Sequence, residues 1–169
     1  MMYITDTAQQ TLKKIHLRVA ECFFAGSGTS SDPYQIATLE QLNCFAGNVN
    51  IGGYSYAGVY FKLTDDIQLQ DEWEPIGTST HKFQGHFDGD GHTISGLYIY
   101  KSANSDQSDY QAFFGYLNNA NISNLTVEGS VTARNFVAGI AAKTENNTVI
   151  DNCTSKVAVT ANVNASYGY

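Results

Sequence analysis

Phe83-Gln84-Gly85-His86-Phe87-Asp88-Gly89-Asp90-Gly91-His92-Thr93-Ile94-Ser95-Gly96-Leu97-Tyr98-Ile99 is the stretch that decides the fold. Its second half, Ile94 to Ile99, returns as Ile122-Ser123-Asn124-Leu125-Thr126-Val127 and again as Ile150-Asp151-Asn152-Cys153-Thr154-Ser155. The copies begin at 94, 122 and 150, a constant step of 28 residues. Counting back from Leu97 by the same step reaches Leu69, so Leu69, Leu97, Leu125 and Cys153 mark four copies, the first imperfect. A period of this size is the signature of a solenoid.

The residues between copies say which solenoid. Paired helices need long apolar patterns of period 3.6, and residues 60–169 have none. A leucine-rich repeat needs leucines at tight spacing, also missing. Three short strands joined by turns fill a 28-residue unit, and Gly89, Gly91, Gly115, Asn118-Asn119, Gly129 and Asn146-Asn147 supply the turns. Such a unit coils once and sets each strand about 4.8 Å above its counterpart. The expected fold is mainly β: a short right-handed parallel β-helix of about four coils. Side-chain alternation points Leu97, Ile99, Leu125, Val127 and Cys153 inward and Tyr98 outward. Ile94, Ile122 and Ile150 are expected to stack as a core ladder. Asn124 and Asn152 are expected to align beside a turn, with Gly96 in that place one coil above.

Upstream lie two helices. Thr38 with Gln41 forms a capping box, and Leu39, Leu42, Phe45, Ala46 and Val49 follow at helical spacing, which predicts a capping helix near 38–48. Ala8, Leu12, Ile15, Val19 and Cys22 make one apolar stripe, which predicts an amphipathic helix near 6–24. The chain therefore divides into an N-terminal extension (1–25) and one β-helix domain (26–169), with a cap over 26–58 and repeats over 59–169.

Composition narrows the function classes. The net charge of −7 and the lack of a basic cluster beyond Lys13-Lys14 argue against nucleic acid. There is no apolar run of membrane-spanning length, and Lys13, Lys14, His16, Arg18 and Glu21 interrupt any signal-peptide core. Three cysteines without metal-type spacing do not read as a disulfide scaffold, and Cys153 reads as a small core residue. His86, Asp88, Asp90 and His92, with His81 near, offer imidazoles and carboxylates to a metal. The preferred reading is a structural turn, with Asp bonding the local backbone and Gly taking positive φ. No cofactor is expected. The acidic residues after Asp90 do not recur at the repeat period, which argues against a glycosidase-type carboxylate pair. Exposed aromatics are the remaining candidates for ligand binding, chiefly Trp73, Tyr98 and Tyr110, since a flat ring can stack on a sugar.

These residues carry a family resemblance. The quoted stretch resembles the first coil of bacterial surface proteins bearing the GLUG repeat. Phe113-Phe114-Gly115-Tyr116-Leu117 with Ile122 to Val131 is similar to one GLUG unit, and Val137 to Ala142 with Ile150 to Val159 to the next. Gly28 to Ile36 and the helix after it resemble the segment that precedes such repeats. The resemblance covers about residues 26–169. It implies a non-catalytic adhesin-type module at the cell surface or secreted, with a glycan or a host or cell-surface protein as partner. The alternative is a carbohydrate-binding or carbohydrate-active β-helix, like a polysaccharide lyase or hydrolase. A β-helix with an open last coil exposes strand edges, so a homodimer is expected through that coil, the N-terminal helix, or both.

Overall fold

The computed structural model describes residues 22–102 and 109–162. In chain order the elements are β1 (Tyr34–Ile36), α1 (Leu39–Asn50), β2 (Tyr60–Leu63), β3 (Ile67–Gln68), β4 (His86–Asp88), β5 (Thr93–Tyr100), β6 (Asp109–Gln111), β7 (Phe114–Asn118), β8 (Asn121–Ser123), β9 (Thr126–Ala133), β10 (Asn135–Val137), β11 (Ala141–Glu145), β12 (Val149–Asp151) and β13 (Thr154–Ala161). They coil into a parallel β-solenoid of about four turns. One face stacks β1-β2-β4-β8-β12 and a second stacks β3-β5-β9-β13. The third is built from β6–β10 and β7–β11. Every pairing between these strands is parallel.

The 28-residue step holds between the last two coils: Ile122 lies against Ile150, and Thr126 to Ala133 against Thr154 to Ala161. It fails between the coils before them. Ile94 pairs with Val127, flanked by Ile67, whereas Ile122 stacks on Phe87. The expected Ile94–Ile122–Ile150 ladder is therefore Phe87–Ile122–Ile150, and Leu97 lies opposite Gly129 rather than Leu125. The cause is length. Gly89 to His92 turn the corner where Asn124-Leu125 suffice one coil later. A bulge between Ile94 and Leu97 adds another residue. Eight residues separate Tyr100 from Asp109, where two separate their partners Thr132 and Asn135. Similar apolar text thus lies on different faces. Gly129 sits where the bulge brings two backbones together: a Cβ there would lie 2.0 Å from the Leu97 carbonyl oxygen, and its φ is +146°.

Inward residues alternate as expected. Leu97, Ile99, Leu125, Val127 and Val131 are buried, with Tyr98 exposed between two of them. Aromatics dominate the upper core: Phe45 of α1 packs on Phe61 at 4.6 Å, on Phe83 at 5.3 Å and on Phe87 at 5.7 Å between ring centroids. α1 thereby lids the first coil. Its start is capped as predicted, the Thr38 side chain accepting from Gln41 N–H (3.2 Å) and Gln41 Oε1 accepting from Ala37 N–H (2.8 Å).

A disulfide joins Cys22 to Cys44 of α1, which corrects the reading of the cysteines. The odd count hid it, because Cys153 alone is the free, half-buried thiol among the described residues. Gln41 Nε2 also donates to the Phe23 carbonyl (2.9 Å), and Ala25 bridges Gln35. The chain segment before β1 is thus strapped to the lid. Most of the amphipathic helix predicted near 6–24 lies outside the described residues.

Candidate functional site

Coil corners need residues in the left-handed region, which Asp90 and Gly91 supply after β4 and asparagines supply in the later coils. After β8 and β12 stand Asn124 (φ 52°) and Asn152 (φ 49°); after β7 and β11 stand Asn119 (φ 50°) and Asn146 (φ 53°). Asparagine tolerates this conformation at little cost. Its amide also links coils: Asn152 Nδ2 donates to Asn124 Oδ1 (2.7 Å), and Asn124 Nδ2 to Asp88 Oδ1 (2.8 Å). Asn146 donates to Asn118 in the same way. The predicted asparagine ladder is present, with Asp88 rather than Gly96 at its upper end.

The histidines and aspartates of the Asp-Gly-Asp-Gly turn do not converge. Asp88 Oδ1 accepts from Asp90 N–H (2.9 Å), which makes it the turn's own cap. Asp90 pairs with Lys62 (2.8 Å). His86 stacks on Tyr60, centroids 4.0 Å apart and nearly coplanar. His92 Nδ1 lies 3.2 Å from Asp66, whose carboxyl is held below the ordinary range by Thr93 N–H and then by His92. His81 Nδ1 lies 2.8 Å from the Asn50 carbonyl. No group of three or more metal-ligating side chains forms among the described residues.

The three aromatic candidates separate. Trp73 is only 5% exposed, which corrects its reading as a surface ring. Its indole stacks on Phe113 (5.2 Å), and its N–H donates to the Phe113 carbonyl (3.0 Å). The reason is that the stretch after β3 closes the third face of its coil without a regular strand, pairing with the next coil through the isolated bridges Ile76–Phe114 and Phe83–Leu117. A large ring fills what strand side chains fill elsewhere. Tyr98 is exposed on β5, in register with Ser130 and Ala158, and Tyr100 beside it with Thr132 and Thr160.

Tyr110 lies at the third corner, where the geometry is unlike the other two. The left-handed positions of β6 and β10 hold Tyr110 (φ 59°) and Phe136 (φ 54°). A bulky residue there costs about 1–2 kcal/mol. The two rings lie parallel with centroids 4.4 Å apart, a contact worth about 0.5–1.5 kcal/mol for the pair. Stacking therefore does not offset the strain of both residues, and burial does not either, since Phe136 is 58% exposed. Tyr116 tilts against Tyr110 at 4.7 Å, and Lys143 Nζ stands 5.6 Å from the Tyr110 centroid. Burial, then Tyr110 beside it, pushes the Tyr116 hydroxyl pKa up. Arg134 holds the Asp109 carboxyl below its usual range, and Lys82 does the same to Glu145. Phe136 went unnoticed in the sequence. The signal was its 26-residue offset from Tyr110, which the 28-residue ruler passes over.

The last coil is the other conspicuous surface. Val149, Ile150 and Val159 are 41–49% exposed, although Ile122 and Val131, the counterparts of Ile150 and Val159 one coil earlier, are buried. Among the described residues, β12 and β13 are edge strands of their sheets. Cys153 sits in the same coil, its thiol pKa raised by burial.

Fold and corners define a class: a parallel β-solenoid whose polar residues are spent on ladders and turns. The crystal structure of a candidate immunoglobulin A1 protease from Bacteroides ovatus superposes with a TM-score of 0.55 at 23% identity, over 83% of this chain and 52% of that one. That likeness concerns the fold. The sequence is 33% identical over 145 residues to a candidate Gly-rich membrane protein of Evansella cellulosilytica, covering 80% of this chain and 16% of the relative. It is 35% identical over 154 residues to halomucin of Haloquadratum walsbyi, covering 82% of this chain and 2% of the relative. The chain thus spans a small fraction of both relatives. No protein-family model matches it. No helix among the described residues is long and apolar enough to cross a membrane.

Proposed function

We propose that this chain is a non-catalytic structural and interaction module of a large surface protein, of the adhesin-repeat kind, and that it associates with a second copy through its last coil. The observation that carries the reading is the asymmetry of the two ends. α1, fastened by the Cys22–Cys44 disulfide, buries the first coil under Phe45. The last coil leaves Val149, Ile150 and Val159 on an unpaired edge. Unpaired apolar strand edges recruit other strands. Because the opposite end is lidded, two copies meet open end to open end, which gives a closed dimer rather than a fibre.

Three features support a surface location. The relatives bear membrane-protein and mucin names. The disulfide suits an oxidising compartment. The coil text resembles GLUG repeats of bacterial surface proteins.

Sedimentation velocity over a hundredfold concentration range tests the association. The expected result is a monomer–dimer equilibrium shifted to monomer by Val159→Lys with the circular dichroism spectrum unchanged. A concentration-independent monomer would overturn it.

A further inference from the structure

We infer that the Tyr110–Phe136 corner is a binding site for an acidic saccharide, a sugar ring carrying a carboxylate. The corners of the solenoid differ in what occupies their left-handed positions. Where the coil needs only a turn, it places asparagine: Asn119, Asn124, Asn146 and Asn152 all have positive φ and lock neighbouring coils. At the third corner two aromatic rings occupy the same backbone conformation, which a bulky side chain adopts only under constraint. Strain of this kind persists where the strained group has a task. Phe136 stacks on Tyr110, yet more than half of it faces solvent.

The groups around the rings say what the site takes. The parallel Tyr110–Phe136 pair, with Tyr116 tilted at its side, offers flat apolar faces edged by two phenol hydroxyls. Lys143 is paired in register with Tyr116 and reaches over the Tyr110 ring. The two carboxylates of the corner already have close cations: Asp109 has Arg134 at 2.9 Å, and Glu145 has Lys82. Lys143 has only a long contact with Glu145, at 3.7 Å. Among the described residues, three cations (Lys82, Arg134 and Lys143) and two carboxylates (Asp109 and Glu145) border the corner.

An aromatic face beside a loosely held ammonium and phenol hydroxyls matches a sugar whose C–H face stacks and whose carboxylate pairs with Lys143. A quaternary ammonium would use the rings but meet the Lys143 charge. A nucleic acid would meet the net charge of −7.

Titration calorimetry of the full chain with a defined oligogalacturonate, and with a neutral oligosaccharide of equal length, tests the assignment. Two variants go with it. Phe136→Asn copies the residue found at the other corners, and Lys143→Gln removes the cation. The expected result is binding of the oligogalacturonate, weakened about tenfold or more by either variant, with the melting temperature of Phe136→Asn equal to or above that of the parent. A melting temperature lowered by Phe136→Asn would show the ring to be a structural strut and overturn the site. So would absence of oligogalacturonate binding at millimolar concentration, or binding unaffected by Phe136→Asn. Equal affinity for the neutral oligosaccharide would overturn the acidic class. Repeating the titration with Val159→Lys separates the site from the dimer edge: the affinity is expected to be unchanged, and its loss in that folded variant would remove the corner as the site.

Discussion

Asn124 is the residue on which the lower corner turns. It holds a positive φ, accepts from Asn152 and donates to Asp88. Asn124→Ala removes both bonds and leaves an alanine in the left-handed region. The expected loss is about 2–3 kcal/mol, read by urea denaturation. Asn119 has one such link, from Asn147 N–H at 3.4 Å, so Asn119→Ala is expected to cost less. Ionic residues add a pH dependence. Asp109 and Glu72 have carboxyl pKa values held down, first by Arg134 and Lys101 respectively. A depressed folded pKa stabilises above the unfolded value and is lost as pH falls through the folded one. Thermal stability is therefore expected to hold from neutral pH to about pH 4 and to fall below it, and Asp109→Asn should shallow that fall.

At the scale of elements, α1 and its disulfide form one unit. Closing the loop between Cys22 and Cys44 contributes about 3 kcal/mol on the chain-entropy model. Reduction is expected to raise hydrogen exchange across α1 and β1 while β9, buried between β5 and β13, stays protected. Equal deprotection of β9 would contradict that separation.

Elements also show what the sequence could and could not convey. α1 was legible because Thr38, Gln41 and the apolar spacing state a helix locally. The last two coils were legible because their corners have equal length, so text and register agree from Asn121 to Ala133. The upper register was not, because the four-residue corner Gly89 to His92, the bulge at Ser95-Gly96 and the longer 101–108 connection leave no apolar period to count. Trp73 was misplaced for a related reason: an irregular face has no alternation to say which way a ring points. The disulfide was hidden because pairing depends on α1 docking, a tertiary event.

Among the described residues the molecule is a stack lidded by α1 at one end, with β12 and β13 as edge strands at the other. Its ladders stack apolar on apolar: Phe87–Ile122–Ile150 on one face, Ile67–Ile94–Val127 on the next. Each coil protects the one before it, so the last coil carries the surplus of unpaired edge and apolar surface. In the proposed association, this edge is where the module meets a second copy. Hydrogen exchange of β12 and β13, compared at low and high protein concentration, addresses that edge directly. Association through the open coil predicts that amides of Val149–Asp151 and Thr154–Ala161 gain protection as concentration rises, with Tyr98 and Tyr100 unchanged. Exchange of β12 and β13 that is independent of concentration would contradict it.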